Sequence, residues 1–179
     1  MFKIEESVLL VIDVQGKLAT IMYERDKVLH NLQAMIKAAQ ILGIPIFWTE
    51  QVPEKIGPTI PEIAGLLNNI QPIKKASFSC CLNKQFQEAL KKIKRKQLII
   101  VGIEAHVCVY QTVCDLIEAK YDVQVVADAV SSRTQENKEL ALERIKAVGA
   151  TLTSVEMIIC ELLRTTEHKK FKDILSLIK

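Results

Sequence analysis

The chain has 179 residues, of which 49% are hydrophobic and 25% charged, and its formal net charge is +3. That length suits one domain whose core needs neither disulfides nor metal, and that balance excludes disordered and fibrous architectures. No apolar run approaches the ~18–20 residues that span a bilayer. The start Met1-Phe2-Lys3-Ile4-Glu5-Glu6 lacks the basic leader of a signal peptide, and five cysteines without an export signal suit a reducing compartment. These features predict a cytoplasmic protein with no membrane partner.

Strand-like and helix-like stretches alternate along the chain. Val8–Ile12 is a continuous apolar, β-branched run ending in Asp13, the pattern of a strand buried on both faces. Asp26–Leu42 spaces Leu29, Leu32, Ile36 and Ala39 as a helix, with Gly43 at its C-cap. A second strand is expected at Ile44–Trp48, with Pro45 near its start. Thr49–Ile63, with three prolines and Gly57, reads as a long connection of the kind that often carries function. A short extended piece at Ile73–Lys75 precedes a helix over Asn83–Arg95, with Asn83 as N-cap.

The second half continues the alternation. Strand Gln97–Gly102 leads to helix Val107–Lys120, strand Val123–Ala127 to helix Gln135–Val148, and strand Ala150–Thr153 to a helix capped by Ser154 and ending at Leu163. Residues 165–179 form a tail, and within it Glu167–Lys179 places Phe171, Ile174, Leu175 and Ile178 on one helical face. No repeat or linker divides residues 1–179. The expected fold is α/β: an open, mostly parallel six-stranded sheet between two helical layers, Rossmann-like in architecture.

In such a sheet, ligands bind beyond the carboxyl ends of the strands, near the switch in strand order. Asp13 follows the first expected strand, Glu50 and Gln51 the second, Lys75 the third, Gly102-Ile-Glu-Ala-His-Val-Cys108 the fourth and Asp128 the fifth. An acid, a base and a thiol therefore converge on one cleft. Cys108 falls at a helix start, where unpaired N–H groups favour a thiolate, and a neighbouring carboxylate could take its proton. Free cysteine is more often a small buried hydrophobe, and that is the reading given to Cys114 and Cys160. Asp13 could equally cap a turn, and Lys75 could be solvated beside Lys74. His106 is two residues from Cys108 and need not face it. Asp128, Ser131, Ser132 and Arg133 suit a turn and the cap of the next helix.

Other chemistries fit less well. With six glycines the chain has no phosphate-cradling loop, and its three separated histidines and lack of Cys-x-x-Cys offer no metal site. The run Lys91–Lys96 carries +5 and Arg164–Lys179 carries +3, leaving −5 elsewhere. No aromatics interleave the basic run as base stacking requires, so it reads as a solvated helix end and not as a nucleic-acid surface.

Three segments together resemble the isochorismatase-like cysteine hydrolases: Val-Ile-Asp13-Val-Gln15, Lys75-Ala-Ser-Phe78-Ser79, and Gly102-Ile-Glu-Ala-His-Val-Cys108-Val-x-x-Thr112. The similarity runs from about Ser7 to Leu163, and Thr49–Glu62 with Val126–Arg133 narrows it to isochorismatase domain-containing proteins of uncharacterised activity. The resemblance implies an Asp13–Lys75–Cys108 triad, in which Asp13 deprotonates Cys108 and Lys75 holds Asp13 and favours the thiolate. It implies a non-proline cis peptide at Ile103–Glu104, which aims the amides of Glu104 and Cys108 at a developing oxyanion, and substrate contacts from Gln15 and Phe78. It also implies a homo-oligomer in which the tail takes part.

Thr49-Glu50-Gln51 lacks the histidine that the nicotinamidase branch uses for metal, so neither a metal nor another cofactor is expected. The cysteine retained at position 108 argues against isochorismate itself, whose hydrolysis does not need it. Ala105 stands where the motif usually has threonine. The expected activity is a metal-independent cysteine hydrolase acting on a small carbonyl compound, an amide, through a covalent thioester. The alternatives are a catalytically silent oligomeric binding module of the same fold, or a thiol redox sensor pairing Cys108 with Cys80 or Cys81.

Overall fold

In the computed structural model, which describes residues 1–178, all six expected strands form one sheet. They are β1 (Ser7–Ile12), β2 (Ile46–Gln51), β3 (Ile73–Lys75), β4 (Gln97–Ile103), β5 (Asp122–Ser131) and β6 (Thr151–Thr153). Their order is β3-β2-β1-β4-β5-β6, and every neighbouring pair is parallel. The chain builds outward from β1 to β3, then returns to the middle and builds outward again from β4. The switch in direction falls between β1 and β4, and their carboxyl ends flank the crevice.

Alternation along the central strands makes two cores. Leu9, Val11, Ile99 and Val101 face one side with Leu32, Met35 and Ile36 of α2 (Arg25–Leu42). Short α1 (Gly16–Thr20) precedes α2. Val8, Leu10, Ile12, Leu98 and Ile100 face the other side with Phe86 and Leu90 of α5 (Lys84–Ile93). Val113 of α6 (Tyr110–Glu118) and Ile145 of α7 (Gln135–Ala147) complete that layer, while Ile158 and Leu162 of α8 (Val155–Leu163) join the first. Three expected caps are in place. Gly43 takes φ 69°, Asn83 Oδ1 accepts from Phe86 N at 3.0 Å, and Ser154 Oγ accepts from Met157 N at 3.2 Å.

Several boundaries differ from the expectation, and long-range pairing explains them. β2 starts at Ile46 and runs through Thr49, Glu50 and Gln51 because those residues pair with β3. The 49–63 connection is therefore shorter than expected and holds two helical turns, α3 (Pro53–Ile56) and α4 (Pro61–Ala64). β5 continues past Ala127 to Ser131 because extra residues between Val125 and Val130 bulge from the ladder and let Gly102 and Ile103 pair with Val130 and Ser131. Asp128 thus lies within a strand, and its Oδ1 accepts from Val155 N at 3.0 Å, at the start of α8. α7 is capped by Thr134, not by the residues before it.

The cysteines and the tail also depart from expectation. Cys160 is exposed, sharing the solvent stripe of α8 with Glu156 and Met157, and Cys114 is half-buried. The tail forms only α9 (Phe171–Leu175), whose fully buried Ile174 packs into the α2 side of the core with Phe171, Leu177 and Ile178 partly buried beside it. Part of its apolar face is thus covered by its own chain. Lys179 lies outside the described residues.

Candidate active site

At the end of β1 the backbone turns through Asp13 at φ 49°, a left-handed conformation that acidic side chains tolerate better than most. The turn sets its carboxylate against β2 and β3. Oδ1 accepts from Thr49 Oγ1 at 2.7 Å and Oδ2 from Lys75 Nζ at 2.6 Å. Lys75 closes β3, and its ammonium also donates to Gln51 Oε1 at 2.7 Å, Phe78 O at 3.0 Å and Ser77 O at 3.1 Å. The Lys75 side chain is 0% exposed and that of Asp13 is 3% exposed. Removing both charges from water carries a penalty of several kcal/mol per ion, so the surrounding donors and acceptors are a condition of the pair's existence.

Gln15 holds the next layer. Its Nε2 donates to Gly57 O at 2.7 Å and to Gln51 O at 3.2 Å, and its Oε1 accepts from the Gln51 amide. Gln15 and Thr59 form an isolated antiparallel bridge. Thr59 is anchored in turn by buried Glu50, whose Oε1 accepts from Thr59 N at 2.8 Å and Oγ1 at 3.0 Å. The segment between β2 and α4 is thereby drawn over the carboxyl edge of the sheet.

From the other side of the switch point, β4 delivers Cys108. The Ile103–Glu104 peptide is cis, and the helix expected from Val107 begins as a π-helical turn over Ala105–Val109 that runs into α6. Cys108 is 7% exposed. Burial pushes its thiol up to about 12; the Asp13 charge adds to that rise, and Lys75 opposes it. This direction is opposite to the one expected from a helix start, because a single turn's worth of unpaired amides does not offset desolvation beside a carboxylate. Thr112 Oγ1 donates to Cys108 O at 2.6 Å and accepts from Cys80 N at 3.0 Å, tying the turn that carries Cys108 to the segment after β3.

Asp13, Gln15, Phe78, Glu104 and Cys108 all line one cleft of about 120 Å³ at the carboxyl end of the sheet. Glu104 Oε1 accepts from Arg133 Nε at 2.9 Å, and His106 Nδ1 pairs with Ser132 Oγ at 2.9 Å. Lys75 sits behind Asp13 and does not line the cleft. Sequence reasoning missed Thr49 and the role of Gln51. Their spacing of two put them on one face of a strand, a signal hidden by ending β2 at Trp48. Among the described residues, no three His, Cys, Asp or Glu side chains come together as a metal-ligand set.

A family model for the isochorismatase domain matches residues 7–157. The chain belongs to the isochorismatase family. It is 39% identical to the secreted isochorismatase effector Isc1 of Phytophthora sojae, over 97% of this chain and 84% of that protein. Among solved structures, this isochorismatase-family chain resembles one described as the MAR1 ribonuclease of Caenorhabditis elegans. That match has a TM-score of 0.93 at 39% identity, covering 99% of this chain and 91% of that one. YcaC of Pseudomonas aeruginosa, solved with hexane-2,5-diol and covalent acrylamide, matches at 0.92 and 26% identity over 98% and 90% of the two chains. YcaC of Escherichia coli, described as an octameric hydrolase of unknown specificity, matches at 0.88 and 26% identity over 99% and 94%. Among the described residues, no helix is long and apolar enough to cross a membrane.

Proposed function

We propose that this isochorismatase-family protein is a cysteine hydrolase that cleaves the C–N bond of a small amide through a thioester on Cys108. The observation that carries the reading is the placement of Asp13, which accepts from Thr49 and Lys75 and lines the same cleft as Cys108, whose thiol feels its charge. A thiol held protonated beside a carboxylate suits general-base attack. As sulfur bonds to the carbonyl carbon, its proton passes to Asp13, and the carbonyl oxygen takes the negative charge. The amides of Glu104 and Cys108 receive that oxyanion, a contribution worth roughly 3–4 kcal/mol per donor. Collapse expels the amine, which carries away the proton from Asp13. Water, deprotonated by Asp13, then attacks the thioester and releases the carboxylic acid and the thiol. Lys75 is a positioning residue that holds the carboxylate toward sulfur.

The covalent acrylamide described for Pseudomonas YcaC, a reagent that adds to nucleophiles through its alkene, supports a reactive nucleophile on this fold. Homo-oligomeric assembly is part of the proposal and is supported by the octameric description of the Escherichia coli protein. A nucleic-acid substrate is not favoured by the position of the basic run. Lys91–Lys96 spans the last turn of α5 and the turn before β4, at the amino edge of the sheet. A strand of that length puts about 20 Å between this run and the cleft.

The test is acrylamide labelling read by peptide mass spectrometry in wild type, Asp13→Asn and Cys108→Ala, alongside ammonia release from a panel of small amides. The adduct is expected on Cys108 and should form at least tenfold more slowly in Asp13→Asn. Equal labelling of all five cysteines, or an Asp13→Asn variant as reactive as wild type, would overturn the reading.

A further inference from the structure

The polar groups around the cleft are already spoken for, and that restricts what can enter. The Lys75 ammonium has three protons and four acceptors within hydrogen-bond distance, all from the protein. The Gln15 carboxamide is committed to Gln51 and Gly57, and that of Gln51 to Lys75 and Ala76 O. Among the described residues, no lysine, arginine or histidine lines the cleft; of its two acids, Asp13 is paired with Lys75 behind the floor and Glu104 with Arg133, half-exposed at the rim. The remaining surface is Leu18, Ile56, Phe78, Ile103 and Val107. A ligand carboxylate or phosphate placed there would lose its water, meet apolar walls and face two like charges, with no basic side chain on the lining to compensate.

Resting on the nucleophile reading above, we infer that this cleft selects a small, uncharged carbonyl compound with a short apolar acyl group and excludes anions. The carbonyl oxygen goes to the backbone amides of Glu104 and Cys108, and the acyl chain lies along Leu18, Ile56 and Phe78. The volume of about 120 Å³ sets the size. It is well under the roughly 300–1,000 Å³ of pockets that hold drug-sized ligands. Phe78, 53% exposed at the mouth, is the residue whose side chain meets the far end of the acyl group.

The experiment compares two alkylating agents of nearly equal size, neutral iodoacetamide and anionic iodoacetate, each read at Cys108 and at exposed Cys160 in the same molecule. The Cys160 ratio removes the intrinsic difference between the reagents. The iodoacetamide-to-iodoacetate rate ratio at Cys108 is expected to exceed that at Cys160 by at least tenfold. In Ile56→Lys, which puts a cation on the wall at a partly exposed position, the excess should shrink severalfold. Butyramide should slow labelling of Cys108, and succinamate, its near-isosteric anion, should not. A ratio at Cys108 within twofold of that at Cys160, or protection by succinamate equal to that by butyramide, overturns the exclusion of anions while leaving the nucleophile intact. If Cys108 takes neither reagent while Cys160 takes both, the nucleophile reading itself falls, and this inference with it.

Discussion

The floor of the cleft and its rim each hold an ion pair, built on opposite terms. On the floor, Lys75 and Asp13 meet at 2.6 Å with side chains 0% and 3% exposed, and Asp13 Oδ1 and Lys75 Nζ each have further partners. At the rim, Arg133 and Glu104 meet at 2.9 Å, with the arginine side chain 54% exposed and the glutamate 11%. The first pair exists because β1, β2 and β3 converge to supply its donors and acceptors. The second keeps one partner in solvent and needs no such frame. Charge at the floor is therefore a commitment of the fold, and charge at the rim is adjustable.

Breaking one partner at each level tests that contrast. Lys75→Met leaves Asp13 buried without its counter-ion and should cost about 3–5 kcal/mol, read as a lower urea midpoint at unchanged slope. The double variant Asp13→Asn with Lys75→Met should recover much of that loss. If it does not, the lysine's packing matters more than its charge. Next in size, Thr49→Val removes the donor to Asp13 Oδ1 and should cost about 1–3 kcal/mol.

Alkaline titration probes the same floor without mutation. Burial holds Cys80 up to about 11 and Cys108 up to about 12, against a thiol's usual 9. Because the folded values are raised, the stability linked to these protonated thiols is whole below pH 9 and is lost as pH climbs from 9 toward 12. A urea midpoint that falls across pH 9–11, and falls less in Cys80→Ala relative to that variant's own value at neutral pH, is the expected result. Smallest of all, Arg133→Ala should change stability by less than about 1 kcal/mol. A loss comparable to that in Lys75→Met would erase the distinction between floor and rim.

What could be seen from the chain alone follows the range of the forces involved. Buried parallel strands announce themselves locally through runs such as Val8–Ile12 and Leu98–Val101, so strand count and the placement of Asp13 and Cys108 at strand ends were accessible. Polar strand residues were not. Thr49 joins β2 by pairing with both β1 and β3, and Glu50 and Gln51 by pairing with β3. The direction of the Cys108 shift failed for a related reason, since a helix start is a local feature whereas desolvation depends on every element packed around the thiol. In the tail, the 3.6-residue pattern did mark residues that seek an apolar partner. It could not say that the partner would be α2 of the same chain, with Ile174 sealed inside.

Gly102 carries a consequence for how this site can change over time. At φ 119° it brings β4 so close to β1 that a Cβ there would sit 2.2 Å from Ile12 O. Backbone thus abuts backbone one residue before Asp13 on one strand and two before Glu104 on the other. The spacing of Asp13 and Cys108 is gauged by main chain more than by the apolar side chains that fill the two cores. Mutational drift in those cores can then move the melting temperature while the pH dependence of Cys108 reactivity stays put, leaving stability and chemistry free to evolve on separate axes.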